Sequence, residues 1–191
     1  MLQLAEIFYS VQGEGTWTGT PAVFVRLAGC NLSCTFCDTD YSLKFLATVE
    51  DVVARVRAAG GDCPMVILTG GEPLAQAETL PLIDALRADG RRVHIESNGT
   101  IATALPADVW LTVSPKERLD PAMAARANEM KLIVDGRVPE EWLAHVPPQA
   151  ALFLQPEGNK ASNVALAIDA AKREPARYRL SLQMHKFIGV R

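Results

Sequence analysis

Cys30-Asn-Leu-Ser-Cys34-Thr-Phe-Cys37 places three cysteines within eight residues, in the spacing CxxxCxxC. Three thiolates can hold three irons of a [4Fe–4S] cube, which leaves the fourth iron without a protein ligand and open to a substrate or cofactor. An electron-transfer cluster normally has a cysteine on every iron, so an open iron points to chemistry at the cluster. Zinc would want four N/S ligands, usually in two closely spaced pairs, and no second pair is present. The remaining cysteine, Cys63, stands just before an apolar run. It reads as a buried thiol packing like a small hydrophobe, with a fourth ligand of a closed cluster as its other reading.

Outward from this loop, strands and helices alternate. Residues 4–11 and 22–27 form a hairpin-like pair ahead of it. Behind it, Val49, Val52, Val53 and Val56 recur at helical spacing, with Thr48 placed to cap the helix and Gly60-Gly61 to end it. A β-rich run at 65–68 meets Thr-Gly-Gly-Glu-Pro. A helix carrying Leu82, Ile83 and Leu86 follows, closed by Gly90. Further strands are expected at 93–96, 109–113, 130–134, 152–154 and 179–184, with an Ala-rich helix before 130 and a longer one from Ser162. Such alternation argues for an α/β fold with parallel strands and crossover helices. A full six-unit βα barrel needs more chain, and helical units look short or missing between Thr100 and Ser114. A reduced, partly open barrel is therefore expected, as a single domain over residues 1–191.

The 191 residues are 49% hydrophobic and 21% charged, enough for one core. A net charge of −3 offers no basic surface for nucleic acid. No apolar stretch reaches the roughly 20 residues that span a bilayer. Clustered cysteines without a disulfide framework, and an N-terminus lacking a basic leader, fit a reducing, cytoplasmic setting.

Sites in such sheets gather at the C-terminal ends of strands. The motifs fall there: the cysteine loop after Leu27, Gly-Gly-Glu after Thr69, Ser97-Asn-Gly-Thr, Ser114-Pro-Lys116, and Gln155-Pro. Gly70-Gly71 lets backbone approach a ligand closely, and Glu72 adds a carboxylate for a cationic group. Asp38-Thr39 is either a turn or a source of the oxygen donors that Mg²⁺ prefers. Tyr9-Ser-Val-Gln-Gly-Glu-Gly15, a strand ending in Gln-Gly-Glu-Gly, is either a polar β-turn or a meeting of amide, carboxylate and flexible backbone that suits a ring with donors and acceptors, such as a pterin. Arg26 lies in an apolar strand, where an unpaired charge is costly; it either snorkels or pairs with a ligand carboxylate, which suits the guanidinium fork. His185 and Lys186 follow the last strand, in a segment placed to fold back over a site.

CxxxCxxC with Phe36 before the third cysteine, and Gly-Gly-Glu-Pro some thirty residues on, resembles the radical S-adenosylmethionine (SAM) superfamily. Within it, Ser-Val-Gln-Gly-Glu-Gly, Arg-Leu-Ala-Gly-Cys, Glu-Ser-Asn-Gly-Thr, Ser-Pro-Lys, Met130-Lys131, Leu-Gln-Pro and Gln-Met-His-Lys-Phe-Ile-Gly-Val-Arg, in this order, resemble the 7-carboxy-7-deazaguanine synthases. Ser97 stands where many relatives have Thr, which keeps the hydroxyl.

The resemblance implies a radical-SAM barrel and a radical SAM ring contraction of 6-carboxy-5,6,7,8-tetrahydropterin, in 7-deazapurine and queuosine synthesis. In such enzymes a reduced cluster cleaves SAM, and the 5′-deoxyadenosyl radical takes a hydrogen from C6. It also implies roles by position. Cys30, Cys34 and Cys37 would bind the cluster. Phe36, Cys37, Asp38, Gly71, Ser97, Ser114, Lys116 and Gln155 would hold SAM. Val11, Gln12, Gly13, Glu14, Arg26, Thr69, His185 and Arg191 would hold the pterin, with Glu14 and Arg26 beside the chemistry. Thr39 would bind Mg²⁺. A flavodoxin or ferredoxin donor and a homodimer are implied as partners. Three rivals are a glycyl-radical activating enzyme, whose substrate is a protein, a ferredoxin-like carrier, which needs Cys63, and a colourless zinc module.

Overall fold

In the computed structural model, which describes every residue from Met1 to Arg191, the chain gathers into two compact units. The first comprises Met1–Val11, Thr20–Ser97 and Thr103–Leu111; the second comprises Gln12–Gly19, Asn98–Ala102 and Thr112–Arg191.

In the first unit, β1 (Leu2–Val11) pairs antiparallel with β2 (Pro21–Leu27) and with the short β3 (Phe45–Ala47). Phe8 and Phe24 face each other across β1 and β2 with centroids 5.0 Å apart. Beyond β2, β4 (Met65–Gly70) and β5 (Arg92–Ser97) pair in parallel, giving the order β3-β1-β2-β4-β5. Met65, Val66, Ile67 and Leu68 are all buried, the continuous apolar run of a strand covered on both faces. Two crossover helices, α1 (Val49–Gly60) and α2 (Thr79–Ala88), bury Val52, Val56, Leu82, Ile83 and Leu86. Thr48 caps α1 as expected: its hydroxyl accepts the Asp51 N–H, while the Asp51 carboxylate accepts the Thr48 N–H.

The second unit is built on β7 (Glu129–Val134), β8 (Ala151–Pro156) and β9 (Arg179–Leu180), all parallel. The last two residues of β6 (Trp110–Val113) join β7 in the same sense. Asp120 caps α3 (Pro121–Arg126) by accepting from Ala122 and Met123 N–H, and α4 (Ala161–Arg173) returns the chain from β8 to β9. Between β5 and β6 there is no helix, as expected; Asn98 closes a turn by accepting from the Thr100 N–H and hydroxyl.

The strand expected at 179–184 is corrected. It ends at Leu180, and Met184–Ile188 is a helix, α5, closed by Gly189 in the left-handed conformation. The reason is local: the Gln183 N–H is taken by Asn159 Oδ1 at 3.2 Å rather than by a neighbouring strand. The strand expected at 152–154 extends over Ala151–Pro156, so Gln155 and Pro156 are the last residues of β8.

Candidate functional site

Between β2 and β3, residues 28–44 form neither helix nor strand. This loop is tied at its ends, by the Gly29 N–H to Tyr41 O at 3.0 Å and the Lys44 N–H to Leu4 O at 2.9 Å. All four cysteines are free thiols. Cys30 and Cys34 are half-buried and Cys37 is exposed. Tyr41's hydroxyl is pushed up by Cys37 first, then by burial, then by Cys30 and Cys34, so all three thiols lie within electrostatic reach of one ring. No three His, Cys, Asp or Glu side chains converge as ligands of a single ion. A cube asks for another arrangement: each cysteine takes its own iron, so the sulfurs stand farther apart than ligands sharing one ion. Three free thiols on one loop, none of them sharing an ion site with the others, fit that demand.

Where the Gly-Gly pair meets this loop, the close approach is to the chain's own backbone rather than to a ligand. A Cβ on Gly70, at φ +136, would come within 2.1 Å of Leu27 O. One on Gly71 would come within 2.0 Å of Gly29 O and 2.7 Å of Cys30 Cβ. Glu72 is not an open carboxylate for a cation. It is fully buried, and its Oε1 accepts the Ser97 hydroxyl at 3.0 Å and the Leu74 N–H at 3.1 Å. Cys63 lies seven residues before Gly70. Along β4 that is roughly 20 Å, at the opposite end of the strand from the cysteine loop. Its buried thiol reaches Pro21 O at 3.4 Å. It packs as a core residue and is out of reach as a fourth ligand.

Arg26 also differs from its expectation. Its charge already has a partner on the adjacent strand: Nε donates to Glu6 Oε1 at 2.7 Å, and Glu6 stands directly opposite in register. The guanidinium also lies 5.8 Å from the Phe8 ring centroid. The requirement for a ligand carboxylate, argued from an apolar strand, is therefore met within the protein. Thr69 is the register neighbour of Arg26 on β4.

In the second unit, the segment from Gln12 to Trp17 is held on every side. Gln12 is buried and accepts the Glu14 N–H on Oε1. The Met184 N–H donates to Gly13 O at 3.0 Å, and a Cβ on Gly13 would strike His185. The Gly15 N–H donates to Ser181 Oγ, whose hydroxyl donates to Gln155 Oε1. Lys131 Nζ donates to Glu14 Oε2 at 2.5 Å, and Gln183 Nε2 to Glu14 Oε1 at 3.2 Å. Burial alone would push the Glu14 carboxyl up. The Lys131 charge, hydrogen bonds from Lys131 and Gln155, and His185 outweigh it and hold the group at about 2. Lys116 Nζ donates to Ser114 O and Oγ, both at 2.6 Å, and Ser114 Oγ donates to Lys131 O at 3.0 Å.

Residues 24–144 match the family model of the radical SAM superfamily. Over its full length the chain is 42% identical to the whole of a protein from Bacteroides thetaiotaomicron named 7-carboxy-7-deazaguanine synthase. A protein of that name from Rhodospirillum rubrum is 36% identical, over 99% of this chain and 92% of its own. This chain belongs to the 7-carboxy-7-deazaguanine synthase family. The crystal structure of QueE from Escherichia coli, 32% identical, superposes on 96% of this chain and 94% of its own with a TM-score of 0.84. The α/β radical SAM fold expected from the sequence is thereby shown, and the chain is a radical SAM enzyme.

Among the site residues expected from the sequence, the structure brings Gly71 against Cys30, and gathers Gln12, Gly13, Glu14, Gln155 and His185 into one network. The C-terminal segment does fold back, onto Gly13. Phe36 and Thr39 are half-buried on the cysteine loop and Asp38 is exposed there; Arg191 is exposed at the chain end. Val11 ends β1. Sequence reasoning missed Glu6, Glu129, Lys131, Ser181 and Gln183 as supports. The signal for two of them was present: Glu129 and Lys131 are charged residues at alternate positions of an otherwise apolar strand.

Proposed function

We propose that the chain catalyses the radical SAM ring contraction of 6-carboxy-5,6,7,8-tetrahydropterin to 7-carboxy-7-deazaguanine, with loss of ammonia, in the pathway to 7-deazapurines and queuosine. The observation that carries the reading is 42% identity, over the full length of both chains, to a protein named for that product, together with a loop of three free cysteines. When held by Cys30, Cys34 and Cys37, a [4Fe–4S] cluster supplies an electron and an open iron for SAM.

The chain's own part is binding, orientation and exclusion of water. Phe36, Cys37, Asp38, Gly71, Ser97, Ser114, Lys116 and Gln155 are assigned to SAM. Gln12, Gly13 and Glu14 are assigned to the pterin ring, with Val11, Thr69, His185 and Arg191. Ionised, Glu14 is an acceptor only, so it orients a ring edge that presents N–H groups. Arg26, already bonded to Glu6 through Nε, keeps a fork suited to the substrate carboxylate. Thr39 offers its hydroxyl to Mg²⁺. A flavodoxin or ferredoxin serves as reductant, residues 1–191 act as one catalytic domain, and the enzyme works as a cytoplasmic homodimer. No helix is long and apolar enough to cross a membrane.

The test is anaerobic reconstitution with iron and sulfide, followed by dithionite, SAM and the carboxytetrahydropterin, with the product read by mass. Formation of 7-carboxy-7-deazaguanine is expected; SAM cleavage with no product from this pterin would overturn the substrate. For the metal, Thr39→Ala is expected to weaken the Mg²⁺ response of turnover more than SAM binding, and an unchanged Mg²⁺ titration would return Asp38-Thr39 to a turn.

A further inference from the structure

Glu129 and Lys131 occupy alternate positions of β7, so their side chains share a face. Both are buried. Burying an ammonium is costly unless it is paired and hydrogen-bonded, and an apolar residue would serve packing better. Both residues are directed to one short segment. Glu129 Oε2 accepts the Thr16 N–H at 2.9 Å, which fixes the backbone just past Glu14. Lys131 Nζ takes Glu14 Oε2, while Gln183 Nε2 takes Oε1. Each oxygen of the Glu14 carboxylate thus has its own donor, and only one of those donors is charged.

We propose that Lys131 is a positioning residue for substrate recognition: it fixes the Glu14 carboxylate in its ionised, acceptor-only form, so that this segment selects a ring edge presenting N–H donors. The proposal rests on the assignment of Glu14 to the pterin. A protonated Glu14 would carry an O–H donor and would lose that selection. Removing the ammonium leaves burial as the dominant influence, which pushes a carboxyl up. The titratable groups facing Glu14 are Lys131 from β7 and His185 from α5; Gln155 and Gln183 are neutral, and Glu129 is turned to the Thr16 N–H. His185 is retained in every variant below, so the comparison isolates the lysine charge.

The experiment uses reconstituted holoenzyme: wild type, Lys131→Met, Lys131→Arg, and the double variant Lys131→Met/Glu14→Gln. pH-difference infrared spectroscopy is expected to show a protonated-carboxyl band growing between pH 8 and 5.5 in Lys131→Met alone, absent from the double variant and from Lys131→Arg. In parallel, the KM for the carboxytetrahydropterin in Lys131→Met is expected to rise ~10-fold as pH falls over that range, with a smaller change in kcat and a flat wild-type profile. A Lys131→Met enzyme with no band and a flat KM would overturn the proposal. If Lys131→Met does not fold, Lys131→Gln, which keeps a neutral donor, is read the same way. Wild type that does not turn over this pterin would overturn the functional reading instead, and the infrared band, which needs no substrate, then decides what Lys131 does to Glu14.

Discussion

The cysteine loop and the Gln12–Trp17 segment are organised in opposite ways. Residues 28–44 are fastened at their ends and carry their three thiols half-buried or exposed, without helix or strand. The Gln12–Trp17 segment is bonded along its length, to Glu129, Lys131, Ser181, Gln183 and the Met184 N–H. Under the proposed function, the difference follows from what each would hold. A cluster brings its own geometry through covalent iron–sulfur bonds, so its loop needs only to deliver thiols. An organic ring is held by hydrogen bonds, which lose most of their value unless their partners are fixed beforehand.

The comparison breaks most completely at the thiols. Cys30→Ala, Cys34→Ala and Cys37→Ala are each expected to abolish SAM cleavage and empty the loop of its cluster, because nothing else there replaces a ligand. Cys63→Ala is expected to retain full iron content, since Cys63 lies at the far end of β4. Iron and sulfide analysis after reconstitution checks both; cluster loss in the Cys63 variant would restore the closed-cluster reading.

Arg26 gives the next largest effect, and the structure changes how it must be tested. Arg26→Met is expected to lower product formation by ~10²-fold, the cost of misplacing a reacting carbon. The same variant also removes the Arg26 donor from the Glu6 carboxylate, so loss of activity alone does not separate the two roles. The double variant Glu6→Gln/Arg26→Met removes the charge that Arg26 faced. Continued loss of turnover in it, measured by product mass, assigns Arg26 to the substrate; recovery would show that Arg26 serves Glu6 alone.

The sequence showed well whatever is local or periodic. Helix α1 could be read from Val49, Val52, Val53, Val56 and the Thr48 cap, and the cluster loop from one spacing of cysteines. What remained hidden depends on pairing between distant residues. Glu6 and Arg26 are 20 residues apart and meet only because β1 and β2 are in register. Lys131 lies 117 residues from Glu14. The Gly70-Gly71 pair was visible, but its reason was not: the crowding comes from Leu27 O and Gly29 O, which parallel pairing of β2 and β4 brings alongside.

Two glycines sharpen the contrast at smaller magnitude. Gly15→Ala must adopt φ +66 and drive its Cβ into the Glu129 carboxylate, so strain and a broken clamp add to about 2–4 kcal/mol of lost stability. Gly71→Ala carries no positive φ but would press on Gly29 O and Cys30 Cβ, for about 1–3 kcal/mol. Thermal unfolding measures the two losses. Cluster content separates the regions: it should fall in Gly71→Ala, where the cysteine loop must shift, and hold in Gly15→Ala. Equal cluster content in both variants would remove the distinction.

The last effect is one of pH: the stability that the Glu14 carboxylate adds at neutral pH is lost in acid. Glu14 is held at about 2 against an ordinary 4.5, so the folded state favours the ionised form more than the unfolded chain does. The stability from this group is therefore complete above about pH 4.5 and is lost as pH falls toward 2. By linkage it amounts to roughly 3 kcal/mol at most. Glu14→Gln is expected to be less stable than wild type at pH 7 and to show a shallower decline between pH 4.5 and 2 in urea unfolding. Asp40 of the cysteine loop is also held at about 2, but it is common to both proteins, so the difference between their slopes reports the Gln12–Trp17 segment. Parallel acid profiles for wild type and Glu14→Gln would mean that Lys131 does not hold the carboxylate ionised, and the prearranged character of this segment would then rest on backbone bonds alone.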